Sequence, residues 1–169
     1  VSMWMVYPTA AQKQGQDRID SLLVELPKSK EDSNKVNVLN DLSYYYFTTK
    51  PNEGIMYGKK GLELAGKLQW NKGKANAYIS IGYNYYSKSE YSKALEHYFQ
   101  ALKLFEELHD LAGEAKVSGK IGLVYVFEND YPKAKEYLLK AIRMNEEIHD
   151  KAALAENLRF MGNIYLRQH

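Results

Sequence analysis

The chain repeats itself. Shifted by 40 positions, residues 77–110 (AYISIGYNYYSKSEYSKALEHYFQALKLFEELHD) fall onto residues 117–150 (VSGKIGLVYVFENDYPKAKEYLLKAIRMNEEIHD). Ile81-Gly82 recurs as Ile121-Gly122 and again as Met161-Gly162, and Tyr85 recurs as Tyr125 and Tyr165. Tyr91, Ala94 and Ala101 return as Tyr131, Ala134 and Ala141. A period of this size cannot belong to an ordinary closed core: each unit is one supersecondary element that buries its apolar face only against its neighbours. Within a unit the apolar and small residues fall three, four and seven apart, which is one face of a helix, and they do so twice. The unit is a helical hairpin.

Upstream, Leu42-Ser43 and Tyr46 repeat the first half of the pattern, with the following turn one residue shorter. Pro51, Gly54, Gly58 and Gly61 then hold the places of Tyr91, Ala94, Tyr98 and Ala101, a degenerate first unit. Ser87-Lys88-Ser89 and Glu128-Asn129-Asp130 end first helices, because short polar side chains compete for backbone hydrogen bonds. Pro132 fits the first turn of its helix, where the missing N–H costs nothing. Asp110 and Asp150 are placed to cap the helices that follow. Helices are expected to begin near residues 33, 52, 71, 91, 111, 131 and 151. The units run over about 31–70, 71–110 and 111–150, with a half unit at 151–169, after a capping helix within 14–30.

Composition narrows the function. With 23 basic and 21 acidic residues interspersed, net +2, there is no basic stripe to displace counterions from a nucleic acid. No run reaches the roughly 18 apolar residues a membrane helix needs, so this segment is not expected to contact a membrane. Cysteine is absent, and with it thiolate zinc sites and cysteine nucleophiles. Residues 61–67 (GLELAGK) have the spacing of a phosphate-binding loop, but Leu68 stands where magnesium's Ser or Thr should be and LELA is helix-forming. His109-Asp110 and His149-Asp150 recur one unit apart at a helix junction, so termination and capping explain them better than metal. His97 has no ligand-spaced partner. No nucleophile, base and orienting group converge, and neither catalysis, a metal nor a cofactor is expected.

At Tyr78, Ile81, Gly82, Tyr85, Ala94, Tyr98 and Ala101 the sequence resembles the tetratricopeptide repeat (TPR) family, whose units follow W-x-x-L-G-x-x-Y, then A-x-x-x-F and A. The likeness covers roughly residues 36–169. It implies an all-α fold, a right-handed superhelix of antiparallel hairpins, and binding of a protein or peptide partner. The unit is about six residues longer than the usual 34, and the addition is expected to lengthen the second helix and the connection after it. With the DRIDSLLVELPKSKED lead-in, the chain is also similar to the N-terminal sensor regions of Bacteroidetes-type signalling proteins that carry a histidine kinase, a nucleotide cyclase or a DNA-binding effector. That implies a role in signal transduction.

The resemblance assigns the concave lining to first-helix positions. In the first two units they are Asn37, Asn40, Tyr44 and Phe47, then Asn76, Ile79, Tyr83 and Tyr86. The third unit contributes Lys116, Lys120, Leu123 and Phe127, and the half unit Arg159 and Asn163. Amides can bond a peptide backbone in both directions, aromatics add contact at low entropic cost, and cations meet carboxylates. An acidic segment is therefore among the partners expected. Tyr83 and Tyr86 have an alternative role, packing between units. Lys116 and Lys120 match only one element of the family's clamp for a C-terminal carboxylate, since Asn40, Tyr44 and Ser80 replace the others. Both lysines are expected to be exposed, so that reversing them leaves the fold intact.

The ends carry two further expectations. Residues 1–11 (VSMWMVYPTAA) resemble the tail of a secretory signal without its basic start. Residues 1–13 are thus a signal remnant or a docking segment, and the protein is exported or periplasmic in the first case and cytoplasmic otherwise. Leu158, Met161 and Tyr165 on the last helix are expected to form an uncovered apolar patch, through which the chain could form a homo-oligomer.

Overall fold

The computed structural model describes residues 10–168, with side chains from residue 14. Eight α-helices follow one another: α1 Ala10–Glu25, α2 Ser33–Tyr45, α3 Pro51–Lys67, α4 Asn71–Ser87, α5 Tyr91–Glu107, α6 Leu111–Phe127, α7 Tyr131–Glu147 and α8 Lys151–Gln168. The described residues contain no strand. Each helix packs against the one before and the one after, giving a tandem helical solenoid.

One local device sets the rhythm. Gln69, Ser89, His109, Asn129 and His149 all take positive φ, between 52° and 61°. At each of them two backbone bonds close the preceding helix. The Ser89 N–H donates to Tyr86 O and the Glu90 N–H to Tyr85 O; the His109 N–H donates to Glu106 O and the Asp110 N–H to Phe105 O. This is the Schellman arrangement, which satisfies carbonyls otherwise left bare at a helix end. The residue after the turn then opens the next helix. Asp110 Oδ1 accepts from the Gly113 N–H, Asp130 Oδ1 from the Lys133 N–H and Asp150 Oδ1 from the Ala152 and Ala153 N–H groups. The paired His-Asp dipeptides are therefore stops and caps. Residues 61–67 lie inside α3, so their phosphate-loop spacing has no loop.

Small residues let the hairpins close. A methyl group at Gly82 would strike the Tyr98 ring, one at Gly113 the Phe105 ring, and one at Gly122 would sit 2.8 Å from Leu138 Cγ. Around these contacts a single apolar core runs from α4 to α8, with Tyr98, Phe105, Ile121, Leu138 and Ile164 almost fully buried. The first unit is built differently. Its apolar residues form two small clusters, Ile19, Leu22, Val38, Leu42 and Tyr46 in one and Val36, Leu39, Leu64 and Ala65 in the other. Between them and the main core lie amides. Asn84 Nδ2 donates to the carbonyls of Ser43 and Ser80, both at 2.8 Å, and Asn40 Nδ2 donates to Gly73 O at 3.2 Å. Gly54 leaves room for the Asn84 amide and Gly61 for that of Asn40.

Three expectations need correction. The extra length of the unit is not confined to the second helix and its connection: first helices α4 and α6 and second helices α5 and α7 all have 17 residues. Met161 is not bare but 8% exposed, packed into the main core, whereas Leu158 and Tyr165 are 51% and 53% exposed and Leu166 is 81%. The lead-in helix starts at Ala10 rather than 14, and it covers the first unit through Ile19 and Leu22. The reading of residues 1–13 as a signal remnant or docking segment rests on residues 1–9, outside those described, and on a stretch whose side chains are not described. No described helix is long and apolar enough to cross a membrane.

Candidate functional site

The first helices α2, α4, α6 and α8 bound a groove made of two adjoining hollows. One, of about 310 Å³, lies between α2 and α4 and reaches Lys116 on α6. The other, of about 530 Å³, lies between α6 and α8 and reaches back to Tyr44 and Tyr83. Tyr44, Tyr83 and Lys116 line both. These three join them into one surface.

Eight of the expected residues meet there: Asn37, Asn40, Asn76 and Ile79 in the first hollow, Lys120 in the second, and Tyr44, Tyr83 and Lys116 in both. Two of them also belong to the packing, since Asn40 is 5% exposed and Ile79 3%. Asn40 donates its amide to Gly73 O, and its Oδ1 is buried against Gly61, so neither end of the amide is free for a peptide. The remaining six lie elsewhere. Phe47 joins Tyr44 and Tyr83 in an aromatic cluster beside α1, with ring centroids 5.4 and 5.7 Å away. Tyr86, Phe127 and Tyr91 form a second cluster, centroids 5.5 to 6.1 Å apart, between the second and third units. Burial there pushes the Tyr86 phenol up to about 12, and the packing role foreseen for it holds. Leu123 packs on the main core. Arg159 is exposed and lies over the Phe160 ring at 4.4 Å, and Asn163 is exposed; neither lines a hollow.

The charged centre of the groove is Lys116 and Lys120. Lys120 is not an exposed charge: its side chain is 15% accessible, its Nζ lies 3.2 Å from Glu156 Oε1 and 5.6 Å from the Tyr83 ring centroid. Burial alone would lower its pKa, but Tyr83 and Glu156 outweigh that and hold it above the usual lysine range. Reversal of Lys120 to Glu would put it beside the Glu156 carboxylate, and the premise that both lysines are exposed holds for Lys116 and not for Lys120. Lys116 has no ion-pair partner among the described residues. Its side chain is exposed, as expected, while the groove wall around it and then repulsion from Lys120 lower its pKa, with Asp41 opposing. Asp41 itself lies 3.7 Å from Arg18, and burial raises its carboxyl despite that cation.

Residues the sequence reading missed complete the second hollow: Asn145, Asp150, Glu156 and Asn157. Asn145 is 2% exposed and its Nδ2 has no hydrogen-bond partner. The repeat register contained a signal for Glu156, which lies 40 positions after Lys116 and 80 after Asn76. Asp41 was legible in the same way, as the counterpart of Ser80 and Lys120 once the shorter first turn is allowed for. Asn145 lies on a second helix, which the family pattern does not point to. Among the described residues no group of His, Cys, Asp and Glu is arranged to hold a metal ion.

The tetratricopeptide repeat profile matches residues 73–147, within the second and third units. Among curated proteins no sequence matches. Solved structures share the fold at low identity. A Rap protein complexed with competence and sporulation factor superposes with a TM-score of 0.77 at 20% identity, over 86% of this chain and 42% of that one. BtubC (BKLC) from P. vanneervenii gives 0.72 at 16%, over 92% and 66%. The TPR domain of Arabidopsis FLU gives 0.57 at 18%, over 80% and 98%. The chain thus spans less than half the length of the Rap protein and about two thirds of BtubC. These likenesses concern architecture, a TPR-like helical solenoid.

Proposed function

We propose that the chain is a protein-interaction module that takes up an extended segment of another polypeptide along α2, α4, α6 and α8, and that it is not an enzyme. The observation that carries this reading is the continuous groove in which amides, tyrosines and two lysines stand together. Such a lining suits a peptide backbone and its side chains better than a small apolar ligand. The structural likeness to a Rap protein complexed with a factor supports it by analogy of fold. Lys116, at the centre and without an ion-pair partner among the described residues, favours a partner with acidic character. The 40-residue spacing of equivalent helix starts, Asn71, Leu111 and Lys151, agrees with the longer variety of the repeat. On that basis we assign the module to the sensory or scaffolding part of a larger bacterial signalling protein.

The test is to place a photo-crosslinking amino acid at Asn76, in the groove, and separately at Lys103, exposed on α5, and to present a mixed library of short unstructured peptides. Capture at Asn76 well above that at Lys103 is the expected result. Equal capture at both positions, or none at either, would remove the groove as the binding surface. The exposed Leu158, Tyr165 and Leu166 on α8 favour a second reading, self-association of the chain. Light scattering separates the two: a monomer that still captures peptide leaves self-association without support.

A further inference from the structure

The second hollow carries an internal ion pair in the middle of a surface proposed to bind a partner. Lys120 reaches Glu156 across from α6 to α8. Its neighbours are unevenly satisfied. Lys116 has no partner among the described residues, and Asn145 Nδ2 is a buried donor with none. Asp150 uses Oδ1 on the α8 cap and lies on the same wall as Glu156. The α6 side of the hollow is thus positive and the α8 side negative, with an orphaned amide donor from α7 between them. A buried donor left without a partner costs free energy until something accepts from it.

We propose that this hollow recognises an internal acidic–basic pair of side chains in an extended peptide, by exchange with the Lys120–Glu156 bridge. The ligand's carboxylate accepts from Lys116, Lys120 and Asn145 Nδ2. Its cation takes over Glu156, with Asp150 beside it. Opening the internal bridge then leaves neither half unpaired, because the ligand brings both complements. A peptide with only a carboxylate leaves Glu156 without its cation, and one with only a cation leaves Lys120 without its anion; the second loss is the larger, because the Lys120 side chain is 15% accessible whereas 44% of Glu156 stays in water. Only the pair satisfies all four groups. Among the charges facing Lys116, Lys120 comes from its own helix, Asp41 from α2, and Glu156 and Asp150 from α8; the α2 carboxylate is already bridged to Arg18.

This inference rests on the peptide-binding reading, and the experiment keeps the two apart. Fluorescein-labelled Gly/Ser/Ala peptides carrying one Glu and one Arg at varied spacing and in both orders are titrated by anisotropy against the full chain. They are compared with peptides in which Gln replaces either charge. At the best spacing and order the doubly charged peptide should bind about tenfold more tightly than either single-charge peptide. In Glu156→Gln the advantage of the Arg should vanish while the Glu-only peptide improves, since Lys120 is then free. Lys116→Gln should weaken the contribution of the Glu and spare that of the Arg, and Asn145→Ala should weaken Glu-containing peptides alone. Circular dichroism confirms that each variant is folded. Groove capture by the library, with affinities blind to charge pairing or unchanged in Glu156→Gln, overturns the exchange and leaves peptide binding standing. No groove capture of any peptide overturns both.

Discussion

The two ends of the solenoid are held together by different physics. From α4 to α8 the hairpins share one apolar core, in which aromatic rings lie on glycines, Tyr98 on Gly82 and Phe105 on Gly113. Between the first unit and α4 the contact runs through amides: Asn84 to Ser43 and Ser80, Asn40 to Gly73. Helices α2 and α4 also lie closer together than α4 and α6 do. Apolar burial is strong but tolerant of sliding. Hydrogen bonds contribute less net free energy and demand one register. The seam at Asn84 thus fixes how the first unit docks, and the apolar half supplies most of the stability.

The comparison can be broken by substitution. Tyr98→Ala removes a ring that is 1% exposed and should cost about 3–5 kcal/mol, read by chemical denaturation. A loss below that of Asn84→Ala would refute the division of labour. Asn84→Ala itself should cost about 1–3 kcal/mol, since it removes two buried hydrogen bonds to the Ser43 and Ser80 carbonyls and leaves a small void. Its signature is regional: hydrogen exchange should quicken in α1–α3 and stay unchanged in α5–α7. Uniform acceleration would mean that the whole stack is one cooperative unit.

The helix rhythm was open to sequence reading because it rests on turn residues and on apolar spacing, both local. The seam was not. Apolar periodicity counts Asn40 and Asn84 as polar, so Asn40 was assigned to the groove lining although it is 5% exposed, and Asn84 drew no notice. The clue was the run Gly54, Gly58, Gly61 where the later unit has Ala94, Tyr98 and Ala101. Missing side chains on one helix imply that something from another fills the space, and here amides and Ile81 do so. In the groove, register alone could have placed Glu156 opposite the lysines. That its bridge to Lys120 would leave Lys116 alone depends on side-chain reach, which no spacing encodes.

Two smaller effects sharpen the contrast. Asp110→Ala should cost about 1 kcal/mol through the lost α6 cap, read as a shift in denaturation midpoint. Its hydrogen bond with Lys72, 2.7 Å away, and the Gly113 N–H hold the Asp110 carboxyl below its ordinary 3.8. The folded pKa is depressed, so this contribution is complete above the unfolded value and is lost as pH falls through the folded one. The variant's deficit should therefore shrink under acid, and a deficit constant across that range would assign the effect to packing instead. His109→Gly, at φ 52°, should stabilise by up to about 1 kcal/mol, because glycine takes the left-handed region without a Cβ penalty. A melting temperature unchanged or lowered would show that the His109 side chain has a use the turn does not reveal.

The five left-handed turns also make the groove adjustable as a set of levers. Each helix of 17 residues is about 25 Å long, so a swivel of ten degrees at a single turn carries its far end roughly 4 Å. Gln69, Ser89, His109, Asn129 and His149 each mark such a joint, so small changes at several of them together would alter the curvature of the stack. A segment lying from α2 to α8 spans all five. Its length would then be registered as a change in the angle between the two ends, a quantity that interhelical distance measurements by paired spin labels can read directly.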